Sequence, residues 1–148
     1  AQQRGIVFDV GHGGGAFSWI QAIPSIQQGF LPNVISTDLH TQSMNGGMKD
    51  LTNVLSKFMA MGMSLKDVIE RATWAPAKVM RRENIGHLTV GAEADIAVFS
   101  MREGKFGFLD IRNTKLEGTK KLECEMTLRA GKIVWDLNGT SALMWNDK

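Results

Sequence analysis

The segment Gly5-Ile6-Val7-Phe8-Asp9-Val10 constrains the fold more than any other. It is a short apolar run with glycine at either side. Such a run has no polar face to give to solvent, so it fits a strand buried on both faces, as in a parallel sheet. Gly11-His12-Gly13-Gly14-Gly15 follows as a loop. Ala16 to Gln28 then has helical spacing and stops at Gly29, and Pro24 inside it implies a kink or a later start. Val34-Ile35-Ser36-Thr37 is a second buried strand. Strand, loop, helix and strand in this order form a βαβ unit and predict an α/β fold.

The next stretch is helical. Lys49 to Met61 carries Leu51, Val54, Leu55, Phe58 and Met59 at helical spacing, with Gly62 where a C-cap belongs. Ser64-Leu65-Lys66-Asp67 has the form of an N-cap with an acidic partner, opening a helix to about Thr73. Pro76 can occupy the first turn of another short helix, through about Arg81. From about residue 83 the texture changes to more charge and period-2 alternation. This predicts a division into residues 1–82 and 83–148. Ala94 to Phe99 is one expected strand. Leu122 to Arg129 is another, with Leu122, Cys124, Met126 and Leu128 on one face. Ala130-Gly131-Lys132 predicts a tight turn, and Lys132 to Asp136 the returning hairpin partner.

Composition narrows the function classes. A chain of 148 residues, 43% hydrophobic, can bury a real core. A net charge of +2 with pI near 8.8 falls short of the clustered charge that nucleic-acid binding needs. Cys124 is the only cysteine, which excludes an internal disulfide and suits a reducing cytoplasm. No apolar run approaches the roughly 20 residues of a membrane span. The start, Ala1-Gln2-Gln3-Arg4, has no apolar signal segment and no Met. It predicts a chain beginning mid-protein, with a trimmed start as the alternative.

Polar groups stand at or just beyond the ends of the two buried strands: Asp9, His12 and Asp38. In closed α/β barrels, reactive groups occupy such positions. A carboxylate at Asp38 can bind a cation or act as a general base; equally, it can cap the following loop. His12, set among glycines, allows close backbone approach and several free N–H donors, as in an oxyanion or phosphate pocket. It also fits a flexible turn with an exposed imidazole. His40 lies two residues beyond Asp38 and fits packing or capping slightly better than ligation. His87, in Ile85-Gly86-His87, fits a structural turn. The methionines of Phe58 to Met63 fit core filling, and Lys115 to Lys121 a solvated hairpin. There is no His-x-His, HExxH or paired cysteine motif.

Three segments together resemble one family. They are Phe8-Asp9-Val10-Gly11-His12-Gly13; Gly29 through His40, with Ser36-Thr37-Asp38-Leu39-His40 at its end; and Ala72-Thr73-Trp74-Ala75-Pro76-Ala77 followed by Gly86 to Phe99. The third resembles the C-terminal signature of the amidohydrolase superfamily. The first two resemble its dihydroorotase-like deacetylase branch. The resemblance implies a (β/α)₈ barrel with a small β-sandwich built from both chain ends. Residues 4–10 would be strand 7 and residues 33–37 strand 8.

It also implies one or two divalent ions, usually zinc, and Asp38 as both metal ligand and proton shuttle. His12, Gly13 and His40 would contact a small-molecule substrate, and Asn45-Gly46-Gly47 would add to the pocket wall. The activity implied is hydrolysis of C–N amide, cyclic-amide or ester bonds. The family's other ligands would lie before strand 7, in an N-terminal barrel segment that acts as this chain's partner. The isolated chain is therefore expected to be inactive. A homo-oligomer is compatible with the sequence. The rival readings are a non-catalytic remnant or interaction module completed by a partner chain, and a phosphate-binding domain using Gly11 to Gly15.

Overall fold

The computed structural model describes residues 2–44, 46–47 and 50–147. Lys49, where the second helix was expected to begin, and Asn45, expected in the pocket wall, lie outside them. After a 3-10 turn at Gln2–Arg4, strand β1 is Asp9–Val10. Helix α1 is Trp19–Gln27, and strand β2 is Val34–Ile35. The strands pair in parallel, Asp9 opposite Val34 and Val10 opposite Ile35, so the expected βαβ unit is present and the fold is α/β.

The strands are shorter than the sequence predicts, and Ile6 and Val7 are 44% and 48% exposed rather than buried on both faces. A strand is covered on both faces and both edges only when neighbours supply the cover. Among the described residues, β1 and β2 pair only with each other. Pairing continues a little beyond the ladder: the Phe8 carbonyl accepts from the Asn33 and Val34 amides, and the Val10 carbonyl from Ser36.

Helix α1 begins three residues later than Ala16, and Pro24 lies inside it. Gly29, which follows, has φ +79°, a conformation glycine adopts at no steric cost. Helix α2 is Leu51–Ala60. Its Val54, Leu55 and Phe58 are buried as their spacing requires, while Leu51 and Met59 are partly buried. Asp50 caps it by accepting the Asn53 amide at 2.8 Å.

Helix α3 is Leu65–Ala72. Ser64 Oγ accepts the Asp67 amide at 3.1 Å and donates to the Asp67 carboxylate at 2.7 Å, the expected cap. Ser64→Ala is expected to destabilise the chain by about 1 kcal/mol, seen as a lower urea midpoint with an unchanged slope. Helix α4 is Trp74–Val79, with Pro76 in its first turn.

The rest is one antiparallel sheet in the order β3-β4-β5. Strand β3 is Ile96–Leu109, β4 is Lys115–Arg129 and β5 is Lys132–Asp136. One correction follows: strand β3 continues ten residues beyond Phe99. Lys115 to Lys121 lie in β4, on the solvated hairpin expected of them. Their charges face water and pair along and across the sheet, Lys115 with Glu117 at 3.0 Å and Lys120 with Glu103 at 3.9 Å. The turn at Ala130 and Gly131 is as expected, with φ +48° and +75°, the left-handed pair of a two-residue hairpin. Helix α2 packs on β4, where Ser56 Oγ donates to the Thr52 carbonyl at 2.6 Å and accepts the Leu122 amide at 2.9 Å. The core spans both sheets' partners: Phe17, Trp19, Ile35, Val54, Leu55, Phe58, Val68, Phe108 and Leu122.

Candidate active site

Asp38 stands at the mouth of β2 with φ +51°. Left-handed backbone is unfavourable for most side chains but is tolerated by Asp, and non-glycine residues held there concentrate at functional sites. The carboxylate points at the glycine loop after β1. A Cβ built on Gly13 would lie 1.9 Å from Asp38 Oδ2, and one on Gly11 would lie 2.8 Å from Asp38 Cβ. The loop is therefore glycine because the Asp38 side chain occupies the space that larger residues need. Two backbone bonds fasten it: the His12 and Gly13 amides both donate to the Thr37 carbonyl at 3.0 Å. Each strand end thus holds the other.

His40 closes one side. A Cβ on Gly14 would meet its Nε2 at 3.0 Å. The His40 amide donates to Ser43 Oγ at 3.0 Å, and the Gln42 amide to His40 Nδ1 at 3.3 Å. One layer below Asp38, Ser36 Oγ donates to Asp9 Oδ2 at 2.8 Å. Asp9, Ser36, Asp38 and His40 therefore line one end of the parallel pair. Asp38 and His40 are exposed.

His12 departs from the image of an exposed loop imidazole. It is 2% exposed and stacks on Phe17 with ring centroids 5.3 Å apart. Its Nδ1 faces the Gly13 carbonyl at 3.1 Å and its Nε2 the Leu109 carbonyl at 3.4 Å. Burial and then the nearby Lys57 charge lower its pKa, so the ring is neutral at pH 7 and donates to one carbonyl only. Its place is beneath the loop, with its backbone in the site and its ring in the core. His87 is structural, as expected: Nε2 bonds the Glu83 carbonyl at 2.9 Å and the ring meets the edge of Trp74.

Two buried charged groups carry little signal in the sequence. Lys57 is fully buried in α2; burial lowers its pKa to about 8, against the pull of Asp110. Its Nζ donates to the Gly47 carbonyl at 2.6 Å and lies 5.7 Å from the Phe17 ring centroid. Asp110, in the turn between β3 and β4, is 1% exposed. It accepts the amides of Trp19 at 3.1 Å, Arg112 at 2.9 Å and Thr114 at 3.0 Å. Burial raises its pKa, but the Thr114, Trp19 and Arg112 donors outweigh this and hold the carboxyl at about 2. The available signals were weak: Lys57 falls three residues after Val54, at the margin of the apolar stripe, and Asp110 begins a turn-forming Asp-x-x-Asn run.

These contacts weaken the phosphate reading of the glycine loop. Such a site needs a free helix N-terminus after the loop. Ser18 makes no side-chain cap bond to α1, and the first amide of the helix, Trp19, is instead taken by the Asp110 carboxylate. Gly47 faces the β3–β4 turn, where a Cβ would meet the Leu109 and Asp110 carbonyls at 2.8 and 2.9 Å.

Residues 19–134 match the model of the amidohydrolase family. A deacetylase of Brucella anthropi is 42% identical over 98 residues, covering 66% of this chain and 24% of that protein. Among solved structures, an adenine deaminase superposes with a TM-score of 0.86 at 27% identity, covering 91% of this chain and 37% of its own. A dihydroorotase gives 0.83 at 33% identity, covering 90% and 37%. The chain thus spans about a quarter to about two fifths of the length of the proteins it matches.

Proposed function

This chain belongs to the amidohydrolase family, and from that premise we propose that it forms part of a metal-dependent hydrolase of C–N amide, cyclic-amide or ester bonds in small acylated substrates. Residues 1–82 supply the closing strands and helices of a (β/α)₈ barrel, β1 and β2 being its seventh and eighth strands. Residues 83–148 form part of a β-sandwich. The edges of the parallel pair, unpartnered among the described residues, and the exposed Ile6 and Val7 support this, because further strands would cover them. No helix among the described residues is long and apolar enough to cross a membrane. We place the protein in the cytoplasm on the strength of its single, unpaired Cys124.

The observation that carries the reading is the seating of Asp38: a left-handed carboxylate at a strand mouth, in space kept open by Gly13. We assign Asp38 the part of general base. Its carboxylate takes a proton from the attacking water and hands it to the leaving nitrogen or oxygen. His40 and the backbone of His12 and Gly13 border the substrate.

The donors for a metal are incomplete. Among the described residues, no group of three or more His, Cys, Asp or Glu side chains could hold an ion. Zinc takes at least three protein ligands, so this chain by itself does not fit one. The zinc we propose for the whole enzyme would have Asp38 as a single ligand and the rest from outside these residues.

Two measurements test the reading. The 148-residue chain is expected to bind no stoichiometric zinc and to leave N-acetyl amino acids and dihydroorotate intact; turnover by it alone would overturn the assignment. In a polypeptide spanning the relatives' length, Asp38→Asn is expected to lower kcat/KM by about 10² to 10⁴. An unchanged rate would remove Asp38 from the chemistry and favour a non-catalytic module.

A further inference from the structure

A fully buried lysine in a helix whose other buried residues are apolar or small hydroxyls calls for an explanation. Lys57 lies between Val54 and Phe58, where a leucine or methionine would pack without an ammonium to desolvate. Its lowered pKa means that burial outweighs the attraction of Asp110. Folding thus disfavours the charged form of this side chain relative to the neutral one. Buried ionic groups retained at such a cost are in some proteins devices of geometric specificity.

The contacts show what Lys57 could specify. From α2 its Nζ reaches the Gly47 carbonyl and the face of Phe17, and the Asp110 carboxylate attracts it from the β3–β4 turn. Phe17 stacks on His12. The His12 amide and that of Gly13 bond the Thr37 carbonyl, and Gly13 borders the Asp38 carboxylate. One cation thus lies at the meeting of the loop after β1, the segment before α2, and the hairpin turn.

We propose that Lys57 is a positioning residue: its ammonium holds the Phe17–His12 stack and the Gly47 segment against the turn after β3, and so fixes Gly13 and the carboxylate of Asp38. The loop-holding part stands on the contacts alone. Its consequence for turnover rests on the role proposed above for Asp38.

The test compares the full chain with its Lys57→Met variant, which keeps the unbranched shape and removes the charge. Hydrogen exchange reports local opening separately from global unfolding. In Lys57→Met, exchange at the His12 and Gly13 amides is expected to rise roughly tenfold or more, while α2 and β4 amides keep their protection and the melting temperature is unchanged or higher.

Unchanged exchange at His12 and Gly13 overturns the proposal. A uniform rise across the core, or failure to fold, also overturns it, because Lys57 would then be a stability residue. In the longer polypeptide, the same variant is expected to lower kcat about tenfold or more with KM little changed. The two readings fail separately. If the loop loosens in Lys57→Met but Asp38→Asn leaves turnover intact, the role of Asp38 is wrong and the clamp stands. If Asp38→Asn abolishes turnover while Lys57→Met changes neither exchange nor kcat, only the clamp falls.

Discussion

Gly13→Ala is expected to destabilise the chain by about 3 kcal/mol and to displace Asp38. Two costs add. Gly13 has φ +43°, and an L-residue held in left-handed backbone loses roughly 1–2 kcal/mol. The new methyl would also fall 1.9 Å from Asp38 Oδ2, far inside contact distance, so the carboxylate must leave its position or the loop must break its bonds to Thr37. Gly15→Ala is the matched control. Nothing lies within 4 Å of its Cβ position, and the substitution should stay within about 0.5 kcal/mol of wild type. Thermal unfolding checks the pair, with Gly13→Ala melting roughly 10 °C lower. Equal melting of both variants would mean that the Gly13–Asp38 contact does not constrain the fold.

Asp110→Ala should have an effect of similar size, about 3 kcal/mol, because it leaves the buried amides of Trp19, Arg112 and Thr114 without their acceptor. The carboxylate also gives stability a pH dependence. Its folded pKa, about 2, lies below the ordinary value of 3.8. The unfolded chain therefore binds this proton first as the solution is acidified. The stabilisation is complete above pH 3.8 and is lost as the pH falls through about 2; it amounts to about 2 kcal/mol. Urea midpoints across this range should fall in wild type and lack this component in Asp110→Asn. A parallel fall in both would place the acid sensitivity elsewhere.

Some of this was legible in the sequence because it follows from local rules. Ser64 and Asp67 formed the expected cap, and Val54, Leu55 and Phe58 turned inward as the helical period requires. Ala130-Gly131 made the hairpin turn. The glycine loop and Asp38 both stand out in the sequence. Their mutual fit does not, because it depends on two strand ends about 25 residues apart meeting in space. Burial is not legible where it depends on neighbours. Ile6 and Val7 are exposed because β1 has one strand partner among the described residues. His12 is buried because Phe17 and Leu109 close over it. The full length of β3 and β4 was hidden by their charges. Alternation marks a strand only when one face is dry, and Arg102, Glu103, Lys120 and Glu123 pair with one another in water.

The cap that Asp110 gives α1 has a consequence for the order of events during synthesis. Trp19 and Asp110 are separated by 91 positions. The ribosome releases the α1 segment long before the residue that completes its first turn exists. Until then Ser18 leaves that end of the helix open, and nine residues form a marginal helix in water. The βαβ unit therefore cannot reach its final form as an early, autonomous piece. Its fastening is made by a residue 91 positions later, so truncation before Asp110 should leave the first helix frayed however complete its own sequence.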